Sequence, residues 1–132
     1  MSEALTGLSA TVTQTVTVEM LAKNVGSGTV SVFSTPELVL LLEKTALVAL
    51  DGKLEAGKTT VGSGLDVTHL AATPLGMTVK CTVKVMSVDG RKLTFEVAAE
   101  DEQESIAKGT HIRFIVDAEK FQARADAKLN TD

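Results

Sequence analysis

The sequence predicts an α+β domain in which one long central helix is wrapped by a five-stranded antiparallel sheet. Three observations predict it. One segment near positions 35–50 carries helix punctuation and is apolar nearly all round, so it needs burial on most sides. The other patterned segments alternate with period two and are rich in Val and Thr, as half-buried strands are. The order is strand, helix, then four strands, with three short links of antiparallel type. The 132 residues read as a single domain over 1–132, with a core at about 10–118 and short tails. Two domains would leave each half too small to bury a core.

The first strand is expected at Thr11–Val18, with Val12, Val16 and Val18 on one face and four threonines opposite. Asn24–Gly28 reads as a flexible loop. Thr35-Pro36-Glu37 opens the helix: Thr as N-cap, Pro pre-shaped for the first turn, Glu suited to the positive end. Asp51-Gly52 stops it. Thr59–Val67 is a strand containing glycines. Met77–Val85 sets Val79, Cys81, Val83 and Val85 against Lys80, Thr82 and Lys84, and Met86-Ser87-Val88 breaks parity as a bulge does. Asp89-Gly90 predicts a two-residue hairpin turn, with Leu93, Phe95 and Val97 alternating on the return strand. Glu100, Asp101, Glu102 and Glu104 read as a solvated turn. The last strand, Ile106–Val116, sets Ile106, Thr110, Ile112, Phe114 and Val116 against His111 and Arg113, with His111 expected to be solvated. From Ala118 the chain is polar, a short helix or a frayed tail.

Composition narrows function. Thirteen basic and seventeen acidic residues leave a net charge of −4, which argues against a nucleic-acid partner. Tyr and Trp are absent, so base-stacking platforms are not expected. The single Cys81 permits neither an internal disulfide nor a multi-Cys metal site, and with two His no metal ligand set can be assembled. The longest apolar region, Leu38–Leu50, is broken by Glu43, Lys44 and Thr45. A membrane span needs ~20 residues, so no membrane partner is expected. No signal peptide is visible at the N-terminus, and the cytoplasm is the default location.

Gly52–Thr59 matches the phosphate-loop pattern G-x-x-x-x-G-K-[ST]. That loop works only between a strand and a following helix. Here a helix precedes it and two glycines follow, so the match reads as a helix-to-strand turn. Glu43 is more informative. It sits mid-helix among leucines, where an unpaired carboxylate costs on the order of several kcal/mol or stays protonated. The alternative is one exposed stripe beside Lys44. His69 follows a strand-like run; a lone His is more often structural. Cys81 alternates with valines and reads as core. Arg113 is a surface cation or an anion contact, and Thr35 is explained as a cap.

Taken together, the segment Val67-Thr68-His69-Leu70-Ala71-Ala72-Thr73-Pro74-Leu75-Gly76, with Gly109-Thr110-His111-x-Arg113 and Glu119-Lys120-Phe121, closely resembles the fluoroacetyl-CoA thioesterase-like family of hot-dog proteins. The resemblance covers about residues 10–125. It implies the hot-dog fold, an acyl-CoA substrate with no separate cofactor, and a homodimer with sites at its interface. It places catalytic residues on Thr35, Glu43 and His69, and acyl-pocket residues on Gly62 and Arg113. Glu43 would attack the thioester carbonyl or activate water, His69 would handle the proton, and Thr35 would orient Glu43 or the substrate. The family's gating Phe has Thr29 in its place, and the only Phe nearby is Phe33, so the acyl group is left open. Two other function classes stand beside this one: a non-catalytic acyl-CoA-binding domain and a phosphate-loop nucleotide hydrolase.

Overall fold

Period-two and helical segments assemble as α+β in the computed structural model, which describes residues 4–130. The strands are β1 (Ser9–Thr15), β2 (Lys58–His69), β3 (Thr78–Asp89), β4 (Lys92–Glu100) and β5 (Ser105–Asp117). The helices are α1 (Ala22–Val25), α2 (Thr35–Leu50) and α3 (Ala118–Asp126). The sheet order is β1-β3-β4-β5-β2, and every neighbouring pair is antiparallel. β1 and β2 are therefore the sheet edges.

The sheet buries one face against α2, which packs mainly on β1 and β3. Val79, Cys81, Val83 and Val85 of β3 and Leu93, Phe95 and Val97 of β4 line that core. The helix answers with Leu38, Leu41, Leu42, Thr45, Ala46, Ala49 and Leu50, spaced three and four apart. Each large side chain so buried contributes about 1.5–3 kcal/mol. Thr45 remains in that face because its hydroxyl donates to the Leu41 carbonyl at 2.7 Å. Burial raises the Cys81 thiol pKa, with a bond to Thr45 opposing, so this cysteine is a core residue. The bulge expected near Met86 is present, as a register shift between Val85 and Ser87.

Several expectations are corrected. β1 runs earlier than expected, Ser9–Thr15, and Val18 lies in a 3-10 turn with its side chain exposed. Part of the expected loop is helical: α1 is one turn, stopped by Gly26 in the left-handed region at φ 95°. The cap of α2 is Ser34, whose hydroxyl accepts from the Glu37 amide at 3.3 Å. Thr35 is already inside the helix. The helix is not buried on most sides: Leu40, Leu47 and Val48 are exposed. In the β3–β4 hairpin Asp89 pairs with Lys92, so the turn residues are Gly90 and Arg91, one position later than expected. The phosphate-loop reading fails on topology, because α2 precedes the glycines and β2 begins at Lys58.

The largest correction concerns β5. His111 and Arg113 are buried on the helix-facing side, whereas Phe114 is 37% exposed. Alternation fixes which residues share a face but not which face is inward. Here Thr60 and Glu43 supply the partners of Arg113, and the Gly64 carbonyl that of His111.

Candidate active site

Two side-chain clusters flank α2. The first lies at its N-terminal end. Since Ser34 does the capping, the Thr35 hydroxyl is available for another bond, and Thr35 Oγ1 stands 2.8 Å from His69 Nδ1. His69 is the last residue of β2, not a residue beyond it. Its Nε2 is buried and has no hydrogen-bond partner. The surroundings form a cavity of about 360 Å³, lined by Phe33, Thr35, His69 and Ala71 among others. Burial lowers the His69 pKa, so the ring stays neutral further into acid than a free imidazole. A neutral imidazole with one nitrogen held by a hydroxyl and the other buried without a partner can accept a proton there.

The loop after His69 is anchored on both sides. The Phe33 amide donates to the Thr73 carbonyl at 2.8 Å, tying the loop to the start of α2. The Thr73 hydroxyl donates to Asp101 Oδ2 at 2.8 Å, and Asp101 Oδ1 accepts from the Gln103 and Glu104 amides. The acidic turn is therefore a turn, as expected, but Asp101 within it is buried.

The second cluster forms around Glu43. Arg113 Nη1 lies 3.5 Å from Glu43 Oε2. The Glu43 side chain is 40% exposed and that of Arg113 only 6%, so the carboxylate sits at the mouth of a buried guanidinium. Neither reading from sequence named this partner. Arg113 is held by Thr60 through Nε to the hydroxyl at 2.8 Å and Nη2 to the carbonyl at 3.0 Å. Burial lowers the Arg113 pKa, and the Glu43 charge opposes that shift. Gly62 faces the same point: a Cβ there would stand 2.7 Å from Glu43 Oε2 and 3.3 Å from Arg113 Nη1. Glycine leaves room there for the carboxylate, which a side chain would push aside.

His111 completes this cluster. Its Nδ1 lies 2.9 Å from the Gly64 carbonyl and its Nε2 lies 3.2 Å from Arg113 Nη1. Its ring stacks on Phe95 with centroids 6.0 Å apart. The expectation of a solvated His111 is overturned, since it is 1% exposed. Thr60 was not visible as a site residue at all. The usable signal for both was strand register, which pairs Thr60 and Gly62 with the end of β5 that carries Arg113.

Thus Thr35 meets His69, and Glu43 meets Gly62 and Arg113. The two groups are separated by eight residues of α2, about 12 Å along the axis. Among the described residues, no cluster of His, Cys, Asp and Glu could hold a metal ion. No helix among them is long and apolar enough to cross a membrane.

A sheet wrapped on one helix, with a histidine–threonine pair at the helix start and a carboxylate midway, defines a hot-dog protein of the thioester hydrolase class. The family model described as "FlK: Fluoroacetyl-CoA-specific thioesterase" matches residues 16–119, and the chain belongs to that family. It is 41% identical over 97 residues to the fluoroacetyl-CoA thioesterase of Streptantibioticus cattleyicolor, covering 74% of this chain and 70% of that protein. The solved fluoroacetyl-CoA thioesterase FlK superposes with a TM-score of 0.88 at 33% identity, over 93% of this chain and 96% of that one. A variant of that enzyme solved with fluoroacetate and CoA gives 0.83 at 34%, over 88% and 98%. A hot-dog-like protein from Thermanaerovibrio acidaminovorans gives 0.88 at 25%, over 96% and 94%.

Proposed function

We propose that this chain hydrolyses a small acyl-CoA thioester to the free acid and CoA, using Thr35, Glu43 and His69. The observation that carries the reading is the Thr35–His69 pair, with a buried unpartnered Nε2 beside a cavity. Hydrolysis forms a bond from water oxygen to the acyl carbon, breaks the carbon–sulfur bond, and delivers a proton to the departing thiolate. Glu43 takes the proton from the attacking water, or attacks first and is released by water. In either route His69 Nε2 accepts the proton of the attacking water, directly or by way of Glu43, and passes it to the departing sulfur, and Thr35 fixes the ring that does so.

The two clusters are the halves of a shared site in a homodimer. Thr35 and His69 of one subunit face Glu43 of the other. Three features support this: the separation along α2, the exposed Leu40, Leu47 and Val48 on that helix, and the unpaired edge of β2 beside Gly62. Gly62 and Arg113 border the acyl pocket, where a missing side chain and a cation favour a short polar acyl group. Thr29 is exposed and Phe33 is a core residue at 1% exposure, so neither serves as an aromatic gate in this chain. The cytoplasm is the expected place of action.

The test is release of free thiol from a panel running from acetyl-CoA and fluoroacetyl-CoA to long-chain and aromatic esters. Turnover of the short esters, abolished in folded Glu43→Ala and His69→Ala, supports the reading. Binding of the esters without thiol release makes the protein an acyl-CoA-binding domain instead.

A further inference from the structure

We propose that His111 is a positioning residue for the acyl pocket, holding the Arg113 guanidinium toward Glu43 by accepting a hydrogen bond at Nε2. The inference rests on the acyl-CoA reading above and adds a residue to it. A carbonyl oxygen can only accept, so the His111 nitrogen 2.9 Å from the Gly64 carbonyl must carry the proton. The neutral ring has one proton. Nε2 is therefore bare and accepts from Arg113 Nη1, 3.2 Å away. This acceptor fixes the same guanidinium nitrogen that faces Glu43 Oε2. With Thr60 holding Nε and Nη2, the guanidinium plane is pinned on three sides.

A charged imidazole would remove this bond. Protonation makes Nε2 a donor, and it then confronts another donor and a like charge. The groups facing His111 are Arg113 on its own strand, Glu43 from α2, the Phe95 ring from β4 and the Gly64 carbonyl from β2. Of these only Glu43 favours the charged ring by its charge, and the Gly64 bond adds to it. Burial and Arg113 oppose both, and the net effect is a lowered pKa. The ring is thus a neutral acceptor at neutral pH, and the acceptor is lost in acid.

Two variants separate the two nitrogens. In His111→Gln the amide oxygen reaches the Nε2 position and keeps an acceptor for Arg113 without a titrating group. In His111→Asn the amide lies at the Nδ1 position, keeps the Gly64 contact and loses the acceptor. For a short acyl-CoA, Asn should raise KM about tenfold, the worth of one charge-assisted hydrogen bond, with kcat within about threefold. Gln should keep the wild-type KM and lack the rise in KM that the wild type shows in acid, below the ordinary imidazole range. His69 is unchanged in all three proteins, so its titration cancels in the comparison. Imidazole ¹⁵N shifts at neutral pH should show His111 protonated at Nδ1 and bare at Nε2. Equal KM for Asn and Gln, or a proton on Nε2, overturns the proposal. If the wild type releases no thiol from any ester, the hydrolase reading is what has failed, and the ¹⁵N shifts still decide the tautomer.

Discussion

Gly62→Ala should uncouple stability from turnover. The φ of Gly62 is not in the left-handed region, so the backbone accepts alanine. Losing glycine's extra freedom in the unfolded chain contributes about 0.4–1 kcal/mol in favour of folding. Against this, the new Cβ would stand 2.7 Å from Glu43 Oε2, where ordinary contact begins at 3.4 Å. The carboxylate must therefore retreat by roughly 0.7 Å, the difference between those two distances. It is the far end of a flexible side chain and is 40% exposed, so it can move at little cost to the fold. The move opens the 3.5 Å contact with Arg113 and displaces the group proposed to act on water. Displacements of about 1 Å cost on the order of 100-fold in rate. Tm within a few degrees of wild type and a loss of about 100-fold in kcat for thiol release are expected. Wild-type turnover in a folded Gly62→Ala protein would refute the placement of Glu43 in the reaction.

Ser34→Ala removes the true N-cap of α2 and should cost about 1 kcal/mol by denaturant unfolding, whereas Thr35→Ala should leave the midpoint nearly unchanged and lower kcat on the order of 100-fold. Asp101→Ala leaves the buried Thr73 hydroxyl and two turn amides unpaired, and should destabilise by about 1–3 kcal/mol in the same assay. His69 and His111 both have folded pKa values below the unfolded one. The unfolded chain therefore binds protons first as pH falls, and their contribution, full above about pH 6.5, should be lost below it. Tm measured across that range should drop on the acid side, and drop less in His111→Gln.

The elements were legible because each is written in local chemistry. The β3 valines alternate, as do Leu93, Phe95 and Val97 of β4, Gly90 marks the hairpin, and Asp51-Gly52 ends α2. The start of α2 was off by one residue because Ser34 and Thr35 are both good caps, and sequence does not say which hydroxyl meets the Glu37 amide. That one-residue difference matters for chemistry, since it frees Thr35 for His69. The β5 faces were inverted because binary patterning sends polar residues outward. Arg113 and His111 go inward because Thr60 and the Gly64 carbonyl from β2, and Glu43 from the helix opposite, meet them there. No local signal encodes that meeting. The family resemblance placed Glu43 and Arg113 at the site, but not the guanidinium's anchoring by Thr60 and His111.

Mixed dimers test the shared site most directly. Glu43→Ala and His69→Ala proteins, each inactive alone, are unfolded together in equal amounts and refolded. If each site takes His69 from one subunit and Glu43 from the other, half the dimers are mixed and each regains one of two sites, restoring about a quarter of wild-type thiol release. If the mixture stays as inactive as its parents while wild type refolded alongside recovers, the two clusters do not act across a subunit boundary.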